Sequence, residues 1–337
     1  MSKPSQVASM LRSCIALRIP FYLSGPVGAG KSQSAHQVTV AESMLFSDVR
    51  LSQMDPTDIK GFPSPDVING VMRWLPADFL PPMLIKGKPN KTKGLLFLDE
   101  LVSAPVAVQA AAYQLILDRK VGNYELPEGW AIGGAGNRAV DRSIVNRMPA
   151  ALANRLVHID YEIDLDDWVA HAMKSGISAN TIAFMRFRSN LLHSFDSAAN
   201  PMAFPTPRSW FTVDKFVQAS LPQADEHALI KGTVGEGAAA EYSAFIRVVK
   251  DLPTPDEIKL APDTTNVPES PATLFALTTS LAMATDAKTF PRFLQYVERM
   301  APEWQVVYIR DCLKHCNVVK FEKPYIQWCI AHSDVVV

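Results

Sequence analysis

Hydrophobic positions along the chain fall into two regimes. In the first half, short runs are apolar at consecutive positions: 19–24 (Ile-Pro-Phe-Tyr-Leu-Ser), 94–99 (Gly-Leu-Leu-Phe-Leu-Asp), 130–137 (Trp-Ala-Ile-Gly-Gly-Ala-Gly-Asn) and 156–160 (Leu-Val-His-Ile-Asp). Strands apolar on both faces suit a parallel sheet covered by helices on each side. Between them Val106, Ala110, Tyr113 and Leu117 recur at helical spacing and predict one buried helix face. Strand alternating with helix predicts an α/β fold. From about Leu165 the pattern turns helical, with helices predicted over 166–173, 180–192, 207–220 and 236–250. Segment 251–271 holds five prolines, which predicts an extended connector, and helical patterning resumes from 272 to about 331. No internal repeat or low-complexity tract is present.

Composition narrows the class. The 337 residues are 48% hydrophobic and 20% charged, which excludes a mainly disordered chain. Lys and Arg number 33 against 34 Asp and Glu, so bulk charge gives no grip on nucleic acid, although a local basic groove is compatible with it. Four scattered cysteines make no disulfide framework and fit a reducing, cytoplasmic setting. The first 18 residues carry Lys3, Arg12 and Arg18 without a continuous apolar block, unlike a secretory signal. The longest uncharged run, 101–117, contains Ser103, Pro105, Gln109 and Gln114 and is too short and too polar for a bilayer.

Two motifs carry chemistry. Gly25-Pro26-Val27-Gly28-Ala29-Gly30-Lys31-Ser32 follows a predicted strand and opens a helix, the setting of a phosphate loop. Its glycines let backbone N–H groups turn inward around phosphates, and the helix N-terminus favours an anion there. Lys31 is then expected at the β and γ phosphates, and Ser32 on Mg²⁺. Downstream, the apolar strand 95–98 is tipped by Asp99 and Glu100. Two carboxylates ending a buried strand are costly unless a cation or a water needs them. Asp99 is expected to support Mg²⁺, and Glu100 to orient or deprotonate the attacking water.

This combination resembles an AAA+ ATPase, in particular the dynein-related, MoxR-like branch that includes the nitric-oxide-reductase and Rubisco activators. The stretch Asp99-Glu100-Leu101-Val102-Ser103-Ala104-Pro105-Val106-Ala107-Val108-Gln109-Ala110-Ala111 is similar to the segment after the second acid in that branch, diverging at 101–103. The resemblance covers roughly residues 5–250. It implies an α/β nucleotide-binding domain over 1–163 and an α-helical lid over 164–250, and beyond it the proline content and helical patterning predict the connector over 251–271 and a helical extension over 272–337. By position it makes Asn137 a polar sensor of the γ-phosphate, Arg155 a finger entering the neighbouring subunit's site, and Arg208 a second sensor touching nucleotide in cis. Arg142 and Arg147 compete with Arg155 for the trans role, and Arg155 and Arg208 also read as ordinary surface arginines.

The resemblance further implies Mg²⁺-dependent ATP hydrolysis in a hexameric ring that remodels or activates a client protein together with a von Willebrand factor A-domain partner. A motor acting on nucleic acid, or a nucleotide-gated structural ring, is the alternative. Segments 55–63 and 74–82 mix aromatic residues with prolines. They read equally as loops gripping a partner polypeptide and as a hydrophobic staple to their own domain. In the tail, Cys312, His315, Cys316, Cys329 and His332 have a spacing formally compatible with zinc, although both segments look helical. No Gly-x-Ser-x-Gly nucleophile elbow is present.

Overall fold

The computed structural model describes residues 1–138, 146, 148–196 and 201–332. Its contacts divide the chain into two compact units, Met1–Asp164 and Leu165–Val337. In the first unit the elements run α1 (Pro4–Leu17), β1 (Phe21–Ser24), α2 (Lys31–Ala41), β2 (Leu45–Arg50), α3 (Pro56–Lys60), β3 (Phe62–Asp66) and β4 (Val71–Leu75). They continue as β5 (Leu84–Ile85), β6 (Lys88–Pro89), β7 (Gly94–Asp99), α4 (Val106–Asp118), β8 (Lys120–Val121), β9 (Tyr124–Glu125), β10 (Trp130–Gly136), α5 (Ala150–Ala153) and β11 (Val157–Asp160).

Five strands form one parallel sheet in the order β11-β1-β10-β7-β2. Alternate side chains feed two cores, as the pleat dictates. Phe21, Leu23, Leu95 and Phe97 pack with Val7 and Leu11 of α1 and Val38 of α2. Tyr22, Leu96, Leu98 and Ile132 face Val108, Ala112 and Leu115 of α4 and Ile59 of α3. This double burial is why β1, β7 and β10 are apolar up to their carboxyl ends, where Ser24 and Asp99 stand. The edge strand β2 (Leu-Phe-Ser-Asp-Val-Arg) is mostly uncovered and carries charge, so no apolar run marks it. Helix α4 forms where its spacing predicts, but with a different buried face. Val108, Ala111, Ala112, Leu115 and Ile116 are buried, whereas Val106 is 72% exposed. A helix this rich in alanine and aliphatic residues is apolar almost all round, so periodicity alone does not select its inner face.

Among the described residues of the second unit the regular elements are all helical. These are α6 (Leu165–Lys174), α7 (Ala179–Phe187), α8 (Pro207–Gln218), α9 (Gln223–Val234), α10 (Glu236–Val249), α11 (Pro255–Leu260), α12 (Pro271–Met283), α13 (Phe290–Val297), α14 (Pro302–His315) and α15 (Lys323–Ala331). Among the described residues no helix is long and apolar enough to cross a membrane. Phe184 of α7, Trp210 of α8 and Tyr242 and Phe245 of α10 form one aromatic core, with ring centroids 5.1–5.8 Å apart.

The proline-rich segment 251–271 is not the extended connector its composition predicts. It contains α11, and Ile258 is fully buried against Leu277, Phe290 and Phe293. Pro255 occupies the first helical turn, where no N–H is needed. Thr254 and Glu257 close a reciprocal cap, Thr254 N donating to Glu257 Oε2 at 2.7 Å and Glu257 N to Thr254 Oγ1 at 3.3 Å. Prolines here start helices. Regions 164–250 and 272–332 are also joined internally, because Arg186 of α7 reaches Asp311 of α14 and Thr279 of α12.

Candidate functional site

The site is built at the carboxyl ends of four strands that are neighbours in the sheet. From β1 the chain enters the loop 25–30, fastened by Gly25 N donating to Gly136 O at 3.4 Å and Tyr161 N to Ser24 O at 2.7 Å. A Cβ on Gly25 would lie 2.9 Å from both Cβ and the carbonyl oxygen of Tyr161, so no larger residue fits there. Gly30 caps α2 with φ 93°, a conformation that favours glycine. Lys31, only 8% exposed, donates from Nζ to Gly25 O (2.8 Å), Pro26 O (2.9 Å) and Asn137 Oδ1 (3.0 Å). The loop, its lysine and the residue ending β10 therefore form one polar cluster.

From β7 come the acids. Ser32 Oγ donates to Asp99 Oδ2 at 2.5 Å, linking the first turn of α2 to the end of β7. A hydroxyl and a carboxylate side by side are the hard oxygen donors that suit Mg²⁺, which keeps most of its shell as water and phosphate oxygens. Among the described residues no group of three or more His, Cys, Asp or Glu could hold a metal by itself. Glu100 follows with left-handed backbone, φ 57°, its N–H donating to Asp99 Oδ1 at 2.8 Å. Its carboxylate accepts from the hydroxyl of Ser52, in the short turn Leu51–Gln53 after β2. Ser52 has no sequence signal, since it lies 48 positions upstream in an ordinary Leu-Ser-Gln. Beneath the acids Tyr22 stays a neutral phenol: burial first, then the Asp99 carboxylate, pushes its pKa well above the usual range.

Lys31, Ser32, Asp99, Glu100 and Asn137 are thus brought together, with Ser52 added. Arg155 is exposed, in the turn between α5 and β11. Because Val157 pairs with Phe21, Arg155, in the turn before β11, lies at the amino ends of the strands, whereas Gly25 is about 13 Å beyond the level of Val157 along the strand direction at 3.3 Å per residue. Arg155 does not reach its own phosphate loop. Arg208 is exposed at the second position of α8, in the helical unit, where Thr206 and Ser209 cap the helix. Arg142 and Arg147 lie outside the described residues.

The two segments read as grip or staple divide physically. In 74–82, Leu80 is 3% exposed, Ala77 and Phe79 pack on the core, and Tyr124 Oη donates to Pro81 O at 2.8 Å. In 55–63, Ile59 of α3 is 2% exposed and packs on the same core, whereas Phe62, at the start of β3, is 74% exposed. Leu80→Ala is accordingly expected to cost about 2–5 kcal/mol in thermal or urea unfolding, and Phe62→Ala less than about 0.5 kcal/mol.

Among the described residues the tail cysteines and histidines form no group of three or more placed to hold a metal. Cys312 is fully buried, with Thr285 Oγ1 at 3.5 Å, and burial pushes its thiol up to about 12. His315 is exposed, and His332 stacks on Trp328 with centroids 4.6 Å apart.

The whole sequence matches no family model and no curated protein. Among solved structures it is similar to NtrX from Brucella abortus in complex with ADP, at 16% identity over 92% of this chain and 67% of that one, with a TM-score of 0.40. It is also similar to the RuvB Holliday junction branch migration motor of Thermotoga maritima, at 16% identity over 88% and 86% of the two chains, with a TM-score of 0.38. Such likenesses are distant, and the class of the protein rests on its own geometry. A parallel sheet in this order, with a phosphate loop after β1 and paired acids ending β7, is the architecture of a P-loop nucleoside-triphosphatase domain. A helical unit follows it in the chain.

Proposed function

We propose that this chain is an AAA+ ATPase of the MoxR-like kind, binding Mg²⁺-ATP at the carboxyl ends of β1, β10, β7 and β2 and hydrolysing it. The observation that carries this is the joining of Lys31 to Asn137 and of Ser32 to Asp99 across those strand ends. Backbone N–H groups of 25–30 and the start of α2 would bind the phosphates, with Lys31 at the β and γ groups. Ser32 and Asp99 would hold Mg²⁺, whose charge neutralises phosphate oxygens when bound. Glu100 accepts a proton from water as the water oxygen bonds to the γ-phosphorus and the bond to the β–γ bridging oxygen breaks, releasing ADP and phosphate. Asn137 orients the γ-phosphate, and Arg208 is assigned to nucleotide in cis.

Arg155, remote from its own loop, fits a role in the site of a neighbouring copy, which calls for a ring, a hexamer by resemblance. In that ring ATP turnover would drive remodelling or activation of a client complex with a von Willebrand factor A-domain partner. ATP hydrolysis measured against protein concentration, beside mass photometry, tests the ring. Turnover is expected to rise as the hexamer appears and to fall at least about 10³-fold in Arg155→Ala, with nucleotide still bound. Turnover by a monomer, untouched by the substitution, overturns it.

One observation favours the nucleic-acid reading as second. The hairpin β5–β6 and the irregular segment leading to β7 carry exposed Lys86, Lys88, Lys91 and Lys93, with no acid between Asp78 and Asp99. Lysine rows of this kind suit a phosphate backbone. Stimulation of ATP turnover by DNA, lost when these lysines are changed to glutamate, would favour it over the protein-remodelling reading.

A further inference from the structure

Glu100 stands on a turn whose backbone would not hold its shape unaided. Its φ of 57° is left-handed, which side chains other than glycine rarely adopt. The turn is closed by Ser103 N donating to Glu100 O at 2.9 Å and tied to β10 by Leu101 N donating to Ala135 O at 2.9 Å. Two of its carbonyls, those of Val102 and Ala104, then each accept twice, from the same two residues. Gln109 Nε2 donates to Val102 O at 3.3 Å and to Ala104 O at 2.9 Å. From the opposite flank, Asn146 N donates to Val102 O at 2.7 Å, and Asn146 Nδ2 to Ala104 O at 2.9 Å.

Gln109 is 3% exposed, deep enough that an unmet amide would be expensive. The Tyr113 hydroxyl donates to its Oε1, and the two carbonyls facing Nε2, which can only accept, settle which way round the amide lies. Turned over, the amide would set Oε1 against two carbonyl oxygens. Both hydrogens of Nε2 and both acceptor positions of each carbonyl are therefore used. A buried glutamine matched to a turn this fully serves the turn rather than the helix it stands on, because α4 already buries Val108, Ala112 and Leu115 against the sheet.

We propose that Gln109 and Asn146 are positioning residues, a two-sided clamp on the Val102 and Ala104 carbonyls that holds the Glu100 carboxylate where it meets the attacking water. The proposal rests on the reading of Glu100 as the acid that activates water. Asn146 meets these carbonyls through its backbone N–H and its side-chain amide, so a displacement of Asn146 would act on the Glu100 turn through two hydrogen bonds.

The test is Gln109→Glu, which keeps the shape and replaces both donors with an oxygen facing the two carbonyls. The expected result is a kcat about 10- to 100-fold lower, with KM for ATP and Kd for a non-hydrolysable ATP analogue changed by less than about twofold. Tyr113→Phe, which leaves both Nε2 donors in place, is expected to keep kcat within about threefold. In a Glu100→Gln background, Gln109→Glu is expected to add less than about twofold, because the group it positions is already gone. A merely structural role predicts instead parallel loss of analogue binding and the same further loss in both backgrounds. An unchanged kcat in Gln109→Glu, or an undiminished further loss without Glu100, overturns the clamp. Should Gln109→Glu not fold, Asn146→Ala removes the second donor to Ala104 O while keeping the backbone N–H on Val102 O, and the same loss of kcat without loss of analogue binding is expected. Wild-type turnover separates the two levels: active wild type with an unaffected variant removes the clamp alone, whereas inactive wild type removes the hydrolysis reading and the clamp with it.

Discussion

Glu100→Gln is expected to lower ATP turnover by about 10²–10⁴-fold, the usual share of a general base, while leaving nucleotide affinity within about twofold. The separation follows from geometry. Phosphate binding belongs to the loop 25–30, Lys31 and the start of α2, none of which depends on Glu100. The substituted amide keeps an oxygen that can accept from Ser52, so the turn and its neighbours stay in place. What it lacks is the ability to take a proton from water. Parallel measurement of phosphate release and of binding of a fluorescent ATP analogue checks both halves. Full turnover in this variant would mean that hydrolysis uses a different base. Full function in vivo without turnover would favour a nucleotide-gated structural ring.

The largest stability effect is expected in the helical unit, at Arg186 and Asp311. The two side chains are 4% and 0% exposed and meet in a fork-to-carboxylate pair, with Arg186 Nη2 to Asp311 Oδ1 at 2.6 Å and Nη1 also donating to Thr279 Oγ1 at 2.8 Å. Removing one partner strands the other charge without water, so Arg186→Met is expected to cost about 3–5 kcal/mol. For a unit of this size that corresponds to a melting transition roughly 10 °C lower. Replacing both, as Arg186→Met with Asp311→Leu, is expected to recover most of the loss, because the desolvation cost of the pair disappears along with its attraction. Differential scanning calorimetry distinguishes the two outcomes. Equal destabilisation in single and double variants would show that side-chain packing, rather than charge, dominates the site.

What could be read in the sequence, and what could not, depends on the physics of each element. Strands β1, β7 and β10 are legible because burial on both faces writes an uninterrupted apolar run. Strand β2, at the sheet edge, writes no such run, and with it Ser52 goes unnoticed although it contacts Glu100. The loop 25–32 is legible because phosphate binding constrains backbone shape at fixed spacing. The roles of Gln109 and Asn146 are not, because a side chain that reads two carbonyls leaves no spacing rule behind. Segment 251–271 misleads for a different reason. Proline forbids the interior of a helix but favours its first turn, and Pro255 and Pro271 both stand there. Thr254 and Glu257, three apart around Pro255, were the available sign of a helix start. Arg155 and Arg208 are assigned their roles by motif order, and the ring measurement addresses that of Arg155.

The central claim is hydrolysis of Mg²⁺-ATP at the ends of β1, β10, β7 and β2, and phosphate release by the wild-type chain tests it most directly, with Mg²⁺ against excess EDTA and with Lys31→Ala alongside. The expected result is ATP-dependent release that needs Mg²⁺, strengthens as protein concentration rises, and is abolished in Lys31→Ala. Absence of release at every concentration, or release indifferent to both EDTA and Lys31→Ala, would contradict the assignment of this site.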